Sequence, residues 1–195
     1  MNRIARSLAL ALVALPALAL AADTWNIDTS HTQTGFSVKH FMLSTVRGDF
    51  DKTTGTAVID DADVTRSTVE VTIDVTTIST RDQKRDAHLK SPDFFDVAKY
   101  PTATFKSTKV EKAGEGLKVT GDLTMHGVTK PVVLDVTTLT KEMKDPYGNW
   151  RRAVSATTRL NRKDFGVSYG PDSVVSDLVN VSIEAELVKA APPAK

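Results

Sequence analysis

In the stretch "RDQKRDAHLKSPDFFDVAKYP", residues 81–101, Asp86 and His88 stand two positions apart among charged neighbours. Histidine and carboxylates are the side chains that most often move protons in enzymes, so the pair raises the question of acid–base chemistry. On a helix, residues two apart diverge; on an extended segment they share a face. Neither arrangement supplies a nucleophile, because the chain has no Cys, no G-x-S-x-G and no second carboxylate with a defined partner. No catalytic residue is expected. His31, His40, His88 and His126 lie far apart, without the H-x-x-x-H or E-x-x-H spacing of a helical metal site, although strands could still gather them. No metal site is expected either. The reading that needs no reaction is a polar clasp: Arg85, Asp86 and His88 hydrogen-bond and pair to pin a connecting segment across one end of the fold. Phe94 and Phe95 then turn inward and cover an apolar interior.

The elements around this segment follow a period of two. In "TVEVTIDVTT", Val69, Val71, Ile73 and Val75 share one face while Glu70, Thr72 and Asp74 share the other. The same alternation groups Leu117, Val119, Leu123 and Met125, and again Val179, Val181, Ile183, Ala185 and Leu187. These read as half-buried strands with a wet outer face, and the abundance of Val and Thr agrees. "DKTTG", "KAGEG", "MHGVTKP" and "DPYGN" read as the tight turns of an antiparallel meander. Residues 80–98 break the rhythm, and within them 81–90 is the expected helix, with Pro92 and Pro101 beyond it.

Antiparallel strands whose apolar faces all point one way must pair with a second sheet or close on themselves. Periodicity does not separate a sandwich from a barrel. About eight strands are present, the number whose closed barrel can hold one small ligand.

The ends bear on location. "MNRIARSLALALVALPALALAADTW" has two arginines, an apolar run broken by Pro16, and Ala19 and Ala21 in the A-x-A arrangement that signal peptidase reads. The run is shorter than the roughly 20 residues of a membrane span. We expect a signal peptide over 1–21, one domain over 22–189, a frayed tail over 190–195, and a secreted, periplasmic protein. Removing Arg3 and Arg6 turns 25 basic and 24 acidic residues into 23 and 24. A near-neutral chain lacks the basic face that a nucleic-acid partner requires. With no Cys, the expected domain must be stabilised by its core rather than by disulfides.

The segments "WNIDTSHTQTGFSVKHFMLSTVRGDFDKTTG", "RDAHLKSPDFFDVAKYPTATFKS", "GDLTMHGVTKPVVL" and "LNRKDFGV" resemble, in order and over nearly all of the expected mature chain, signature segments of the YceI family. The resemblance implies a secreted, lipocalin-like antiparallel β barrel of about eight strands with one short helical segment. It also implies a polyisoprenoid-binding role: an elongated apolar pocket that takes an isoprenoid tail, such as that of a quinone or polyprenyl lipid, with no cofactor besides that ligand. Alternation supplies a lining of Phe36, Val38, Ile73, Val75, Phe105, Leu123, Met125, Leu134 and Val136, joined by Phe94 and Phe95. The plain alternative is that these side chains fill a solid core. Three functions stay open: lipid binding without turnover, an enzyme acting on an apolar substrate at the Arg85/Asp86/His88 segment, and a stress-related periplasmic protein with an incidental cavity. Transient membrane contact and a homodimer stay open as well.

Overall fold

A computed structural model describes residues 22–191; the expected signal peptide, 1–21, and residues 192–195 of the expected tail lie outside them. The strands are β1 (Asp23–Ile27), β2 (Gln33–His40), β3 (Ser44–Phe50), β4 (Thr53–Ile59), β5 (Thr68–Asp74) and β6 (Ile78–Ser79). After helix α1 (Gln83–Lys90) come β7 (Thr102–Ala113), β8 (Gly116–Met125), β9 (Val128–Leu139), β10 (Met143–Lys144), β11 (Trp150–Asn161) and β12 (Leu178–Lys189). All pairings are antiparallel, and β1, β4, β5, β7, β8, β9, β11 and β12 form a closed ring of eight. This is the barrel; the sandwich alternative does not hold.

Three of the ring's positions are bent rather than straight. β1 runs on into β2, β3 into β4, and β5 into β6, so that β12 is flanked by β1 at one end and by β2 at the other. Two of the breaks have a local cause. Asp28 and Asp74 accept hydrogen bonds from the Ser30 and Thr76 amides two residues on, each at 3.1 Å, and start one 3-10 turn apiece. A short acidic side chain offers the backbone a partner that competes with the ladder, and the strand kinks there. The expected turn at "DKTTG" is the third break: β4 continues in the direction of β3 and changes partner from β2 to β1. The other three expected turns do reverse the chain. Val75 lies in the 3-10 turn after β5 instead of on the strand, and is still buried.

Beyond the bends, β2, β3 and β6 splay away from the ring, and β6 stops after two residues with β7 not yet begun. The segment 80–101 covers the gap. Its helix starts on Asp82, whose carboxylate accepts from the Arg85 amide at 2.9 Å, and it stops at Ser91 before Pro92. At the opposite end the interior is solid: Trp25, at 0 % exposure, packs with Ala57, Ile59 and Leu187, beside a second cluster that includes Val110, Val119, Val136 and Ala156. The C-terminal end is held to Ala190, one residue into the expected tail, whose N–H donates to the Thr24 carbonyl at 2.8 Å.

Candidate functional site

The splayed half of the barrel surrounds a cavity of about 380 Å³ with a largely apolar wall. Phe36 and Val38 reach it from β2, Ile73 from β5, Val75 from the turn that follows, Phe105 from β7, Leu123 and Met125 from β8, and Leu134 from β9. Val179, Val181, Ile183 and Ala185 of β12 line the side that faces β2 and β11. Two rings occupy space that only a glycine leaves free. A Cβ on Gly48 would sit 2.5 Å from the Phe36 ring, and one on Gly121 would sit 2.5 Å from the Phe105 ring. Val136 is the exception among the expected lining. It shares a face with Leu134 but lies deeper, packed with Val119 and Ala156 at a level where side chains already fill the barrel.

Over the mouth, the expected clasp divides into two. Asp86 accepts from the Thr80 amide at 2.8 Å and from the Thr80 hydroxyl at 2.5 Å, while Arg85 donates to the Thr80 hydroxyl at 2.7 Å and to its carbonyl at 2.8 Å. Both side chains thus tie α1 to buried Thr80 at the end of β6. His88 belongs to a different group. Its Nε2 is 2.9 Å from Asp93 Oδ2, and its ring meets Phe94 and Tyr169 edge-on with centroids 5.0 Å apart in each case. Phe94 and Tyr169 are themselves 5.1 Å apart, which completes a three-ring cover. Phe95 packs edge-on against Phe50, 6.0 Å away. Such edge-to-face contacts hold rings in place without closing them covalently.

Tyr169 comes from a loop that the sequence reading missed. Residues 166–177 wrap around the guanidinium of Arg162, a buried side chain at the end of β11. Its Nη1 donates to the carbonyls of Val167 and Tyr169 at 2.9 and 2.8 Å, and its Nε to that of Ser176 at 3.2 Å. Nη2 donates to the carbonyls of Gly170 and Val175 and to Asp177 Oδ1 at 3.2, 3.0 and 3.1 Å. A planar fork with five N–H groups is the one side chain able to satisfy so many carbonyls from a single point. Val167, Tyr169 and Val175 of this loop all line the cavity. The signal lay in "LNRKDFGVSYGPDS", where glycines and a proline frame a loop after an arginine that alternation leaves without a role.

Inside, polar groups are few. Thr34 and Thr53 bond to each other at 2.9 Å. Among the described residues that line the cavity, Thr32 Oγ1 is a buried polar atom with no partner, so it can give a guest one hydrogen bond. At the solid end, Asp28, His31 and Glu186 approach within 4.8 Å of one another, but Arg151 already supplies their positive charge. Its Nη1 is 2.7 Å from Asp28 Oδ2 and 2.9 Å from Glu186 Oε2. What the arrangement can do is enclose an apolar molecule and exclude water from it.

The comparisons with known proteins agree with this geometry. A family model described as YceI-like domain matches residues 25–187. The chain is 41 % identical over 170 residues to Protein YceI of Escherichia coli, which covers 85 % of this chain and 87 % of that one. The crystal structure of Burkholderia cenocepacia BcnA superposes with a TM-score of 0.75 at 25 % identity, over 82 % of this chain and 98 % of that chain. A polyisoprenoid binding domain from Saccharophagus degradans, described as implicated in plant cell wall breakdown, shares the fold with a TM-score of 0.63 at 17 % identity, over 87 % and 99 % of the two chains. With its family model spanning most of the chain and its eight-position barrel hollow at one end, the chain belongs to the YceI-like domain family.

Proposed function

We propose that this protein is a secreted, periplasmic carrier that holds an isoprenoid or similar long apolar lipid, of quinone or polyprenyl type, inside the barrel without turning it over. The observation that carries the proposal is the apolar cavity of about 380 Å³ beneath a cover of aromatic rings. That volume falls within the roughly 300–1,000 Å³ range of small-molecule sites. A polyisoprenoid-binding domain with the same fold agrees with the ligand class. Burial of each CH₂ contributes about 0.8 kcal/mol relative to water, and a bilayer offers the same tail nearly the same environment. The net preference between protein and membrane is therefore small, which suits reversible pick-up and delivery. The use of Asp86 by Thr80 favours binding over catalysis at the Arg85/Asp86/His88 segment, because both hydrogen bonds serve to anchor the helix.

Organic extraction of the purified protein followed by mass spectrometry tests the proposal. A stoichiometric apolar lipid is expected, and an empty protein from cells rich in quinone would refute it. The location has its own test: the mature N-terminus should be Ala22, and the protein should leave a Gram-negative cell on osmotic shock.

A further inference from the structure

The hairpin between β2 and β3 breaks two rules at one place. Its central residues, Phe41 and Met42, have φ of 50° and 57°, and the Leu43 amide donates to the His40 carbonyl at 3.0 Å. The three-residue loop between the paired residues His40 and Ser44 thus opens on a turn with positive φ at both central positions, for which Asn and Gly are the favoured residues. The β8–β9 turn follows the rule at its second central position, where Gly127 has φ of 75°, with His126 at φ of 52° before it. At β2–β3, two large apolar side chains take the strained positions and then point into solvent. Phe41, Met42 and Leu43 are 53 %, 49 % and 87 % exposed. Phe41 packs in part, its ring centroid 4.2 Å from that of His40, yet about half of Phe41 and Met42 and most of Leu43 stay in solvent, and local conflicts of this kind concentrate at functional surfaces.

The tip is also joined to the cavity mouth. Val38 and His40, immediately before it, line the cavity. The Phe41 amide donates at 2.9 Å to the Val174 carbonyl, in the loop wrapped around Arg162, and the next residue of that loop, Val175, lines the cavity too. Behind the tip, Lys39 and Arg47 stand exposed on the same hairpin, and among the described residues neither has a carboxylate within ion-pair distance.

We propose that Phe41, Met42 and Leu43 form a bilayer-inserting tip, which seats the mouth of the barrel on a lipid surface so that a tail can pass between membrane and cavity without crossing water. The inference rests on the carrier reading and names the surface by which the carrier meets the membrane. An apolar tip above exposed cations matches the layering of a bilayer, with acyl chains below anionic headgroups. A second protein is a poorer fit, because a stable interface takes about 800 Å² from each partner and three side chains at the end of a hairpin do not supply it.

The test replaces the tip with the residues such a turn prefers. F41N/M42G should keep or raise the thermal midpoint, so folding is not in doubt. Parent and variant, both mature full-length proteins, are sedimented with vesicles of phosphatidylethanolamine containing one quarter phosphatidylglycerol. Binding by the parent should fall about tenfold or more in the variant. A parent that does not bind vesicles, or a variant that binds as well as the parent, overturns the proposal. Self-association in the absence of vesicles that F41N/M42G abolishes would assign the tip to a second copy and overturn it as well. Extracted lipid is measured on the same preparations. Tip-dependent vesicle binding with no extractable lipid upholds the tip and removes the carrier reading, whereas extractable lipid with tip-independent binding does the reverse.

Discussion

The two ends of the barrel are each organised around an arginine, and they differ in what that arginine holds. At the solid end, Arg151 reaches three carboxylates: Asp28, Asp145 and Glu186, at 2.7, 2.8 and 2.9 Å. Asp145 in turn accepts from the Tyr147 and Asn149 amides and fixes the β10–β11 turn. At the hollow end, Arg162 holds mostly backbone carbonyls. Carboxylates titrate and carbonyls do not, so the same side chain builds an acid-sensitive clamp at one end and an acid-tolerant scaffold for the mouth at the other. Packing differs in the same direction. Trp25 closes one end with its ring beneath the Arg152 guanidinium, 4.8 Å away, while at the other end the Phe36 and Phe105 rings sit over glycines beside the cavity.

The largest expected effect lies at the solid end. Trp25→Ala should cost about 3–5 kcal/mol in denaturant unfolding, since it empties a fully buried site. A loss below about 1 kcal/mol would mean that the solid end is not solid. Next is the tie between helix and barrel: Asp86→Ala leaves the Thr80 amide and hydroxyl without their acceptor and should cost about 1–3 kcal/mol, with faster release of any bound lipid. Retention of both stability and release rate would show that α1 is held by something else. Smaller still in stability, and larger in function, is Ile73→Trp. In a packed core, added bulk costs about 1–3 kcal/mol. In this cavity the ring has room, so the midpoint should hold while extractable lipid is lost.

The smallest effect separates the two arginines. Arg151, foremost, and amide donors hold the Asp145 carboxyl well below the usual carboxylate range; Arg151 and then His31 lower that of Asp28. Their folded-state values are depressed, so their contribution is complete above the ordinary value of 3.8 and is lost as pH falls through the lower ones. Hydrogen exchange at the Tyr147 and Asn149 amides, corrected for intrinsic rates, should be flat from neutral pH to about pH 4 and should accelerate below it. The Val167 amide, bonded to the Arg162 carbonyl, should show no matching change. Acceleration that begins near neutrality would assign the clamp to another group.

Alternation made the strands and their inward faces legible, because a half-buried strand imposes a period of two on its residues. It could not say how far along each strand the space is filled. Leu134 and Val136 carry the same signal, yet one lines the cavity and the other the core, because the filling at the deeper level comes from distant segments. The bend between β3 and β4 read as a turn, since Asp, Gly and Thr mark any interruption of a ladder, reversed or not. The true reversal at Phe41 and Met42 escaped notice for the opposite reason: its residues are those that turns avoid. The glycines and proline after Arg162 mark a loop, but the role of the arginine escaped notice because its partners are mostly main-chain carbonyls, which leave no trace in residue type.

The closure of the ring has a kinetic consequence. β12 is the last strand of the described residues, yet it seals the barrel by pairing with β11 on one side and with β1 and β2 on the other, as in Asn26 with Val188 and Phe36 with Val181. Every chain shorter than that strand therefore carries two unpaired sheet edges, and the contacts that remove them span nearly the whole domain. Loop closure over such a distance is slow, and open edges invite pairing between molecules. Chains truncated before Leu178 should aggregate rather than fold, so the twelve residues from Leu178 to Lys189 decide whether all the preceding strands become a barrel or a precipitate.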